Sequence, residues 1–268
     1  MIRTCFILLS IAAFVMVDAP YQVRASMTDG NTALTRGAFI SAHKHFLAES
    51  KKGNPKAQLY LGWMYYNGKG VNQDYRKSFG WYEAAAKSGS IEAWNALGLM
   101  YEKGLGVKPD GKKATEWYLK GAEKGDAVTQ YYLAVVYREG KIVGQNYKEA
   151  AKWFYAAAKQ DDSLAQYELG ILYDFGRGVK KNPAAAAGWY WKAAHKGHID
   201  AQFNLGVAYE RGEGVKKNFV QALMWYKIAL AGGGKDGTSS VLSQLPPQDI
   251  NHAGALAQRW LRQNTQSK

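Results

Sequence analysis

One pattern recurs every 36 residues along most of this chain, five times without an insertion. Leu61-Gly62 returns as Leu97-Gly98, Leu133-Ala134, Leu169-Gly170 and Leu205-Gly206, and Tyr65, Tyr101, Tyr137, Tyr173 and Tyr209 follow at one fixed offset. Gly68-x-Gly70-Val71 recurs as Gly104-x-Gly106-Val107, Gly176-x-Gly178-Val179 and Gly212-x-Gly214-Val215. Trp81, Trp117, Trp153, Trp189 and Trp225 complete the frame. A unit of this length is one supersecondary element that buries its apolar face only against its neighbours, so the repeat dictates a stacked array.

The spacing inside the unit predicts a pair of helices. Ala57, Leu61, Gly62 and Tyr65 fall on one helical face. Asn54, Ser90, Asp126, Asp162 and His198 stand just before that helix; the first four are good caps, able to accept an otherwise unpaired backbone N–H. Pro55 suits the first helical position, where a missing N–H costs nothing. The paired glycines of the turn supply the left-handed backbone that ends the first helix. Asp74, Asp110, Asn146, Asn182 and Asn218 then form a column suited to capping a second helix, which carries Trp-Tyr and ends at Gly89, Gly125, Gly197 or Gly233.

The pattern A-x-x-x-L-G-x-x-Y-x-x-G-x-G-V followed by W-Y resembles the Sel1-like repeat family, a relative of the tetratricopeptide repeat. The resemblance implies an all-α fold, a right-handed superhelical solenoid of helix pairs. Its boundaries are 54–89, 90–125, 126–161, 162–197 and 198–233, with the third unit degenerate. Residues 26–53 form an N-terminal segment in which Thr35 to Lys52 read as a lone second helix, with His45-Phe46 in the Trp-Tyr columns. Residues 234–268 read as a C-terminal cap: Thr238 to Leu245, then a helix from about Gln248 to Gln263 with the stripe Ile250, Ala253, Ala257, Trp260 and Leu261. In the third unit Thr129, Ala134, Ile142 and Asp161 replace the usual residues; Ile142 tolerates a left-handed backbone poorly, so its turn is expected to bend differently, using Gly144. Drift is the preferred reading of that unit, a change of curvature the alternative.

Charge and leader bear on where such an array works. The 268 residues carry a formal net charge of +13, which speeds encounter with anionic partners without defining a fold. Arg3 and the 13 mostly apolar residues Cys5 to Val17 suit a secretory leader, being too short for the roughly 20 residues that span a bilayer. Val23-Arg24-Ala25 favours cleavage before Ser26, giving a signal peptide at 1–25; a retained anchor is the alternative. Cys5 is the only cysteine, so a mature chain has no disulfide or thiol chemistry. Export makes nucleic acid an unsuitable partner.

Apparent chemical motifs dissolve into the repeat. The G-x-G-V turns lack the third glycine or G-K-[ST] of phosphate cradles. Ser41-x-x-Lys44 and Lys87-Ser88-Gly89 mimic β-lactam-recognising elements, but no S-D-N accompanies them. His43 and His45 point to different helix faces, and His195 and His198, with Asp200 nearby, flank a turn where capping is the expected role. No catalytic residue, metal or cofactor is expected. By analogy with tetratricopeptide arrays, a groove would be lined by the residues two before the Leu-Gly pair (Leu59, Asn95, Tyr131, Tyr167, Phe203) and one after it (Trp63, Leu99, Val135, Ile171, Val207). Arg138 and Arg211 lie at the C-terminal end of the same helices, beside Glu102, Asp174 and Glu210. The expected protein-binding residues are Leu59, Trp63, Tyr131, Tyr167, Phe203, Arg138 and Arg211, because aromatic and Arg side chains are the usual anchors of interfaces; packing between repeats is the competing role. The resemblance implies a non-enzymatic scaffold or regulator in the cell envelope, whose partner is a protein or peptide. The alternatives are a peptidoglycan- or β-lactam-directed hydrolase, and a basic surface for anionic polysaccharide or lipid, for which Lys112-Lys113, Lys180-Lys181 and Lys216-Lys217 supply charge.

Overall fold

The computed structural model describes residues 21–265, and all regular structure among them is helical. The apolar run read as the core of a leader lies outside the described residues. The five repeats contribute α3 (Pro55–Asn67) and α4 (Tyr75–Lys87), α5 (Ile91–Lys103) and α6 (Gly111–Glu123), α7 (Ala127–Glu139) and α8 (Tyr147–Ala158), α9 (Ser163–Phe175) and α10 (Pro183–His195), and α11 (Ile199–Arg211) and α12 (Phe219–Ala231). Before them stand α1 (Tyr21–Thr35) and α2 (Phe39–Ser50); after them come α13 (Ser239–Leu242) and α14 (Pro247–Thr265). The chain forms two compact units, one ending at Lys124 and one beginning at Gly125.

The caps hold as their chemistry requires. Asn54 accepts from the N–H groups of Lys56 and Ala57, Ser90 from Ala93, Asp126 from Thr129, and Asp162 from Leu164 and Ala165. His198 does the same with Nδ1, 3.3 Å from the Ala201 N–H. Asp74, Asp110, Asn146, Asn182 and Asn218 cap all five second helices. Each such cap stabilises its helix by about 1 kcal/mol.

Within a repeat the two helices meet at the Leu-Gly position. A Cβ on Gly62 would stand 2.6 Å from the Tyr82 ring, and Gly98, Gly170 and Gly206 face Tyr118, Tyr190 and Tyr226 in the same way. The ring thus occupies the volume of the missing side chain and is buried: Tyr82 and Tyr118 are each 1% exposed. The third repeat has Ala134 here, with Phe154 as the buried ring. The same device completes the N-terminus. Gly30 of α1 faces Phe46 of α2 at 2.6 Å, and Met27, Ala33 and Leu34 pack around it. The lone second helix expected from sequence therefore has a partner. It escaped the 36-residue frame because Arg36 to Ala38 make a shorter turn than the repeat turns.

The third repeat departs from expectation in one respect. Gly140 takes the left-handed conformation at φ +68°, but Gly144 does not. Ile142 cannot supply the second left-handed residue, so this turn has one; Gln145 still donates to the Arg138 carbonyl at 2.8 Å, as Gln73 does to that of Tyr66 in the first repeat. At the end of this repeat Asp161 is held at φ +68°, where the other repeats place glycine. Its Oδ1 accepts from Gln166 Nε2 at 3.3 Å and meets Lys196 Nζ at 3.2 Å, so local polar contacts offset the strain. Asp161→Ala keeps the strain and loses those contacts, and is expected to cost about 1 kcal/mol in urea unfolding; Asp161→Gly should lie within about 0.5 kcal/mol of the parent. Equal losses for both variants would show that the left-handed backbone is not the issue.

Candidate functional site

The first helices of the repeats carry the candidate residues. In the first unit Leu59 is 6% exposed and packs with Tyr82 and Leu97, so the core takes it up; Asn95 is 5% exposed. Trp63 is half-buried against Met27, Phe39 and Trp81, and its buried indole N–H meets no acceptor among the described residues.

In the second unit the same columns stay half-exposed. Tyr131, Tyr167 and Phe203 each lie on the buried ring of their own second helix: Phe154 at 5.6 Å, Tyr190 at 6.0 Å and Tyr226 at 5.3 Å between centroids. Tyr167 also stacks on His198 at 4.3 Å. Lys235 Nζ stands 5.8 Å from the centroid of Phe203. Each aromatic is thus held by neighbouring groups and stays partly exposed, the arrangement of an interface anchor whose rotamer is set before a partner arrives. Burial, then the negative charges of Asp200 and Glu168, push the Tyr167 phenol up to about 12, so it remains a neutral donor.

A polar column runs alongside. Tyr118 donates to Glu102 at 3.2 Å, Tyr190 to Asp174 at 3.4 Å, and Tyr226 closely to Glu210. Burial first, and the adjacent carboxylate second, raise the Tyr190 phenol well above its ordinary range. In the third repeat Phe154 has no hydroxyl, and the column position is Arg138. Its guanidinium forms a close ion pair with Glu168 and lies 6.0 Å from the Phe154 ring centroid. Burial opposes the charge on Arg138, but Glu168 more than offsets it and the guanidinium is held above its ordinary value. Arg211 is exposed at the end of α11.

Between repeats four and five a small, partly open pocket of about 50 Å3 is lined by Asp174, Pro183, Ala187, Tyr190, Asn204, Val207, Ala208 and Glu213. The sequence pattern places Asp174 beside the groove and Val207 in it, but does not single out Asn204 or Glu213. A signal is nonetheless present. The turn column reads Lys69, Leu105, Lys141, Arg177 and then Glu213, a reversal of charge in the last repeat.

The other candidate elements lie on the helices and turns of the array. Ser41 and Lys44 are exposed on the first turns of α2, and Lys87-Ser88-Gly89 is the turn ending α4, with Gly89 at φ +81°. His195 joins its ring to Trp191 and Trp225, with Nδ1 2.8 Å from the Trp191 carbonyl. His43 sits edge-on to Tyr65, and burial lowers its pKa. Lys112, Lys113, Lys180, Lys181, Lys216 and Lys217 are exposed at the turns.

Comparison with known proteins agrees with this geometry. The Sel1 repeat family model matches residues 55–90, 91–126, 127–162, 163–198 and 199–234, one residue later than the boundaries read from the caps. Among solved structures, a Sel1 repeat protein from Oxalobacter formigenes is 32% identical, covers 90% of this chain and 100% of its own, and superposes with a TM-score of 0.73. A protective antigen present in uropathogenic Escherichia coli strains, displaying the same type of fold, is 30% identical over 90% of this chain and 61% of that one, with a TM-score of 0.54. A search of curated proteins finds no match. With 36-residue helix pairs, glycine-to-tyrosine contacts within them and five matched units, the chain belongs to the Sel1 repeat family, whose fold serves protein–protein interaction.

Proposed function

We propose that this chain is an exported, non-enzymatic scaffold or regulator of the cell envelope. It holds a segment of an envelope protein against the first-helix face of repeats three to five. The observation that carries this reading is the row Tyr131, Tyr167 and Phe203, each half-exposed and each braced on a buried ring. An aromatic already held in place loses little conformational freedom on binding, so more of its buried area becomes affinity. The leader-like N-terminus supports the envelope as the place of action, and regulation of signalling or polysaccharide production suits a protein that binds without chemistry.

A photo-crosslinking residue placed at Tyr167 or Phe203 in the native host should capture an envelope-fraction protein, while one at the exposed second-helix position Glu83 should not. Tyr167→Ala combined with Phe203→Ala should keep the helical circular dichroism of the array and weaken the captured partner at least tenfold, as paired anchor losses do. Undiminished capture by a folded double variant would remove the row from the binding site.

A further inference from the structure

We infer that the pocket between repeats four and five receives a lysine or arginine side chain of the bound segment. The inference rests on the scaffold reading above and specifies what the partner presents. The protein itself illustrates the chemistry one repeat earlier. There Arg138 lies by the Phe154 ring and pairs with Glu168, a cation supplied from within. Shifted by one repeat, Arg138 becomes Asp174, Phe154 becomes Tyr190, Glu168 becomes Asn204 and Arg177 becomes Glu213. The internal cation is gone and two carboxylates have replaced arginines. Among the described residues, no lysine, arginine or histidine lines the pocket. Elsewhere in the Asp174 column, Glu102 meets Lys103 at 2.8 Å.

The walls suit the rest of such a side chain. Pro183, Ala187, Val207 and Ala208 offer an apolar channel for a methylene stem, with Asp174, Glu213 and the Asn204 amide carrying the acceptors. Tyr190 links the pocket to the aromatic row, since its ring touches Tyr167 and its hydroxyl donates to Asp174. The pocket and the aromatic row are thus joined through one shared ring, and Asn204 of the pocket is the chain neighbour of Phe203. The local preference opposes the global one: a chain of net charge +13 attracts anions at long range, so selection of a cationic side chain has to come from this site.

Three fluorescein-labelled nonapeptides of alternating serine and leucine, with a central lysine, norleucine or glutamate, provide the test by fluorescence anisotropy with the full chain. The lysine peptide should bind at least tenfold more tightly than the norleucine peptide, and the glutamate peptide should be the weakest. In Asp174→Asn with Glu213→Gln, which keeps hydrogen-bond acceptors at both positions, the lysine advantage should disappear while the melting temperature is retained. Equal affinity for the three peptides, a preference for glutamate, binding of none, or a lysine advantage surviving the double variant would overturn the proposal. Loss of partner capture in the Tyr167→Ala, Phe203→Ala protein together with an unchanged lysine preference in Asp174→Asn, Glu213→Gln would reject the pocket and keep the aromatic row; the opposite pair of results would reject the row and keep the pocket.

Discussion

Gly178→Ala should lower the stability of the second unit by about 2–5 kcal/mol, more than most single substitutions on the surface of this protein. Gly178 is at φ +70°, which for an alanine costs about 1 kcal/mol or somewhat more. The greater penalty comes from its neighbour. The added Cβ would overlap the carbonyl of Tyr147 and stand 2.6 Å from the Lys148 nitrogen, at the first turn of the preceding repeat's second helix. Backbone cannot swing aside as a side chain can, so repeats three and four would have to separate, at an overpacking cost of about 1–3 kcal/mol. Gly188→Ala is the matched control: nothing lies within 4 Å of its Cβ inside α10, and it should stabilise by about 0.5–1 kcal/mol. Urea unfolding midpoints give both values, and amide exchange should show the Gly178→Ala loss concentrated at the junction of α8 and α9. An unchanged midpoint would mean that the turn does not set the distance between these repeats.

Gly70, Gly106 and Gly214 meet the first residues of a preceding helix in the same manner, which explains why the turn needs its second glycine. In the sequence that need shows as recurrence, and it reads there only as a demand for left-handed backbone. Close approach between repeats is a tertiary fact and leaves no separate mark on the residue. The caps, the Leu-Gly and Trp-Tyr pairs and the apolar stripe of the last helix are legible because each has a periodic signature that one principle explains.

A second column is not legible at all. Gln166 and Gln202 are 0% and 3% exposed, and their side-chain amides donate to the carbonyls of Ala158 and Ala194, closing the open end of the preceding second helix. Trp94 does this with its indole N–H, 3.2 Å from the Ala86 carbonyl. Glutamine on a helix reads as a solvated residue, and only the structure shows the unpaired carbonyl it serves. The proposed binding face is half legible for a similar reason. The residue types pick out Tyr131, Tyr167 and Phe203, yet the same column puts Leu59 in the core. The pocket joins Asp174, at the end of α9, and Glu213, in the turn of the next repeat, with Asn204, and only packing sets residues of three separate columns around one space.

Truncation after Leu245, which removes α14, should cost about 3–5 kcal/mol and make the protein self-associate. The last helix buries Ala253 and Ala257 completely or nearly so, and half-buries Ile250, Trp260 and Leu261 against α12. Large apolar side chains contribute about 1.5–3 kcal/mol each when fully buried, an upper bound for these partly covered ones. Trp225 shows what the helix does for the array. In the earlier repeats the equivalent Trp117, Trp153 and Trp189 are half-exposed, with Lys120, Lys152 and Lys192 lying over them at 3.9, 4.8 and 4.3 Å from the ring centroid. Trp225 is instead 2% exposed, with Trp260 of α14 against it at 5.8 Å. Without α14 the final repeat would present Trp225, Met224 and Ile228 to water, a continuous apolar end of the kind that terminal elements of repeat arrays exist to cover. Light scattering should therefore find oligomers, and tryptophan emission should shift to the red on dilution as they dissociate. A truncated chain that stays monomeric with the parent's unfolding midpoint would show that the fifth repeat closes itself.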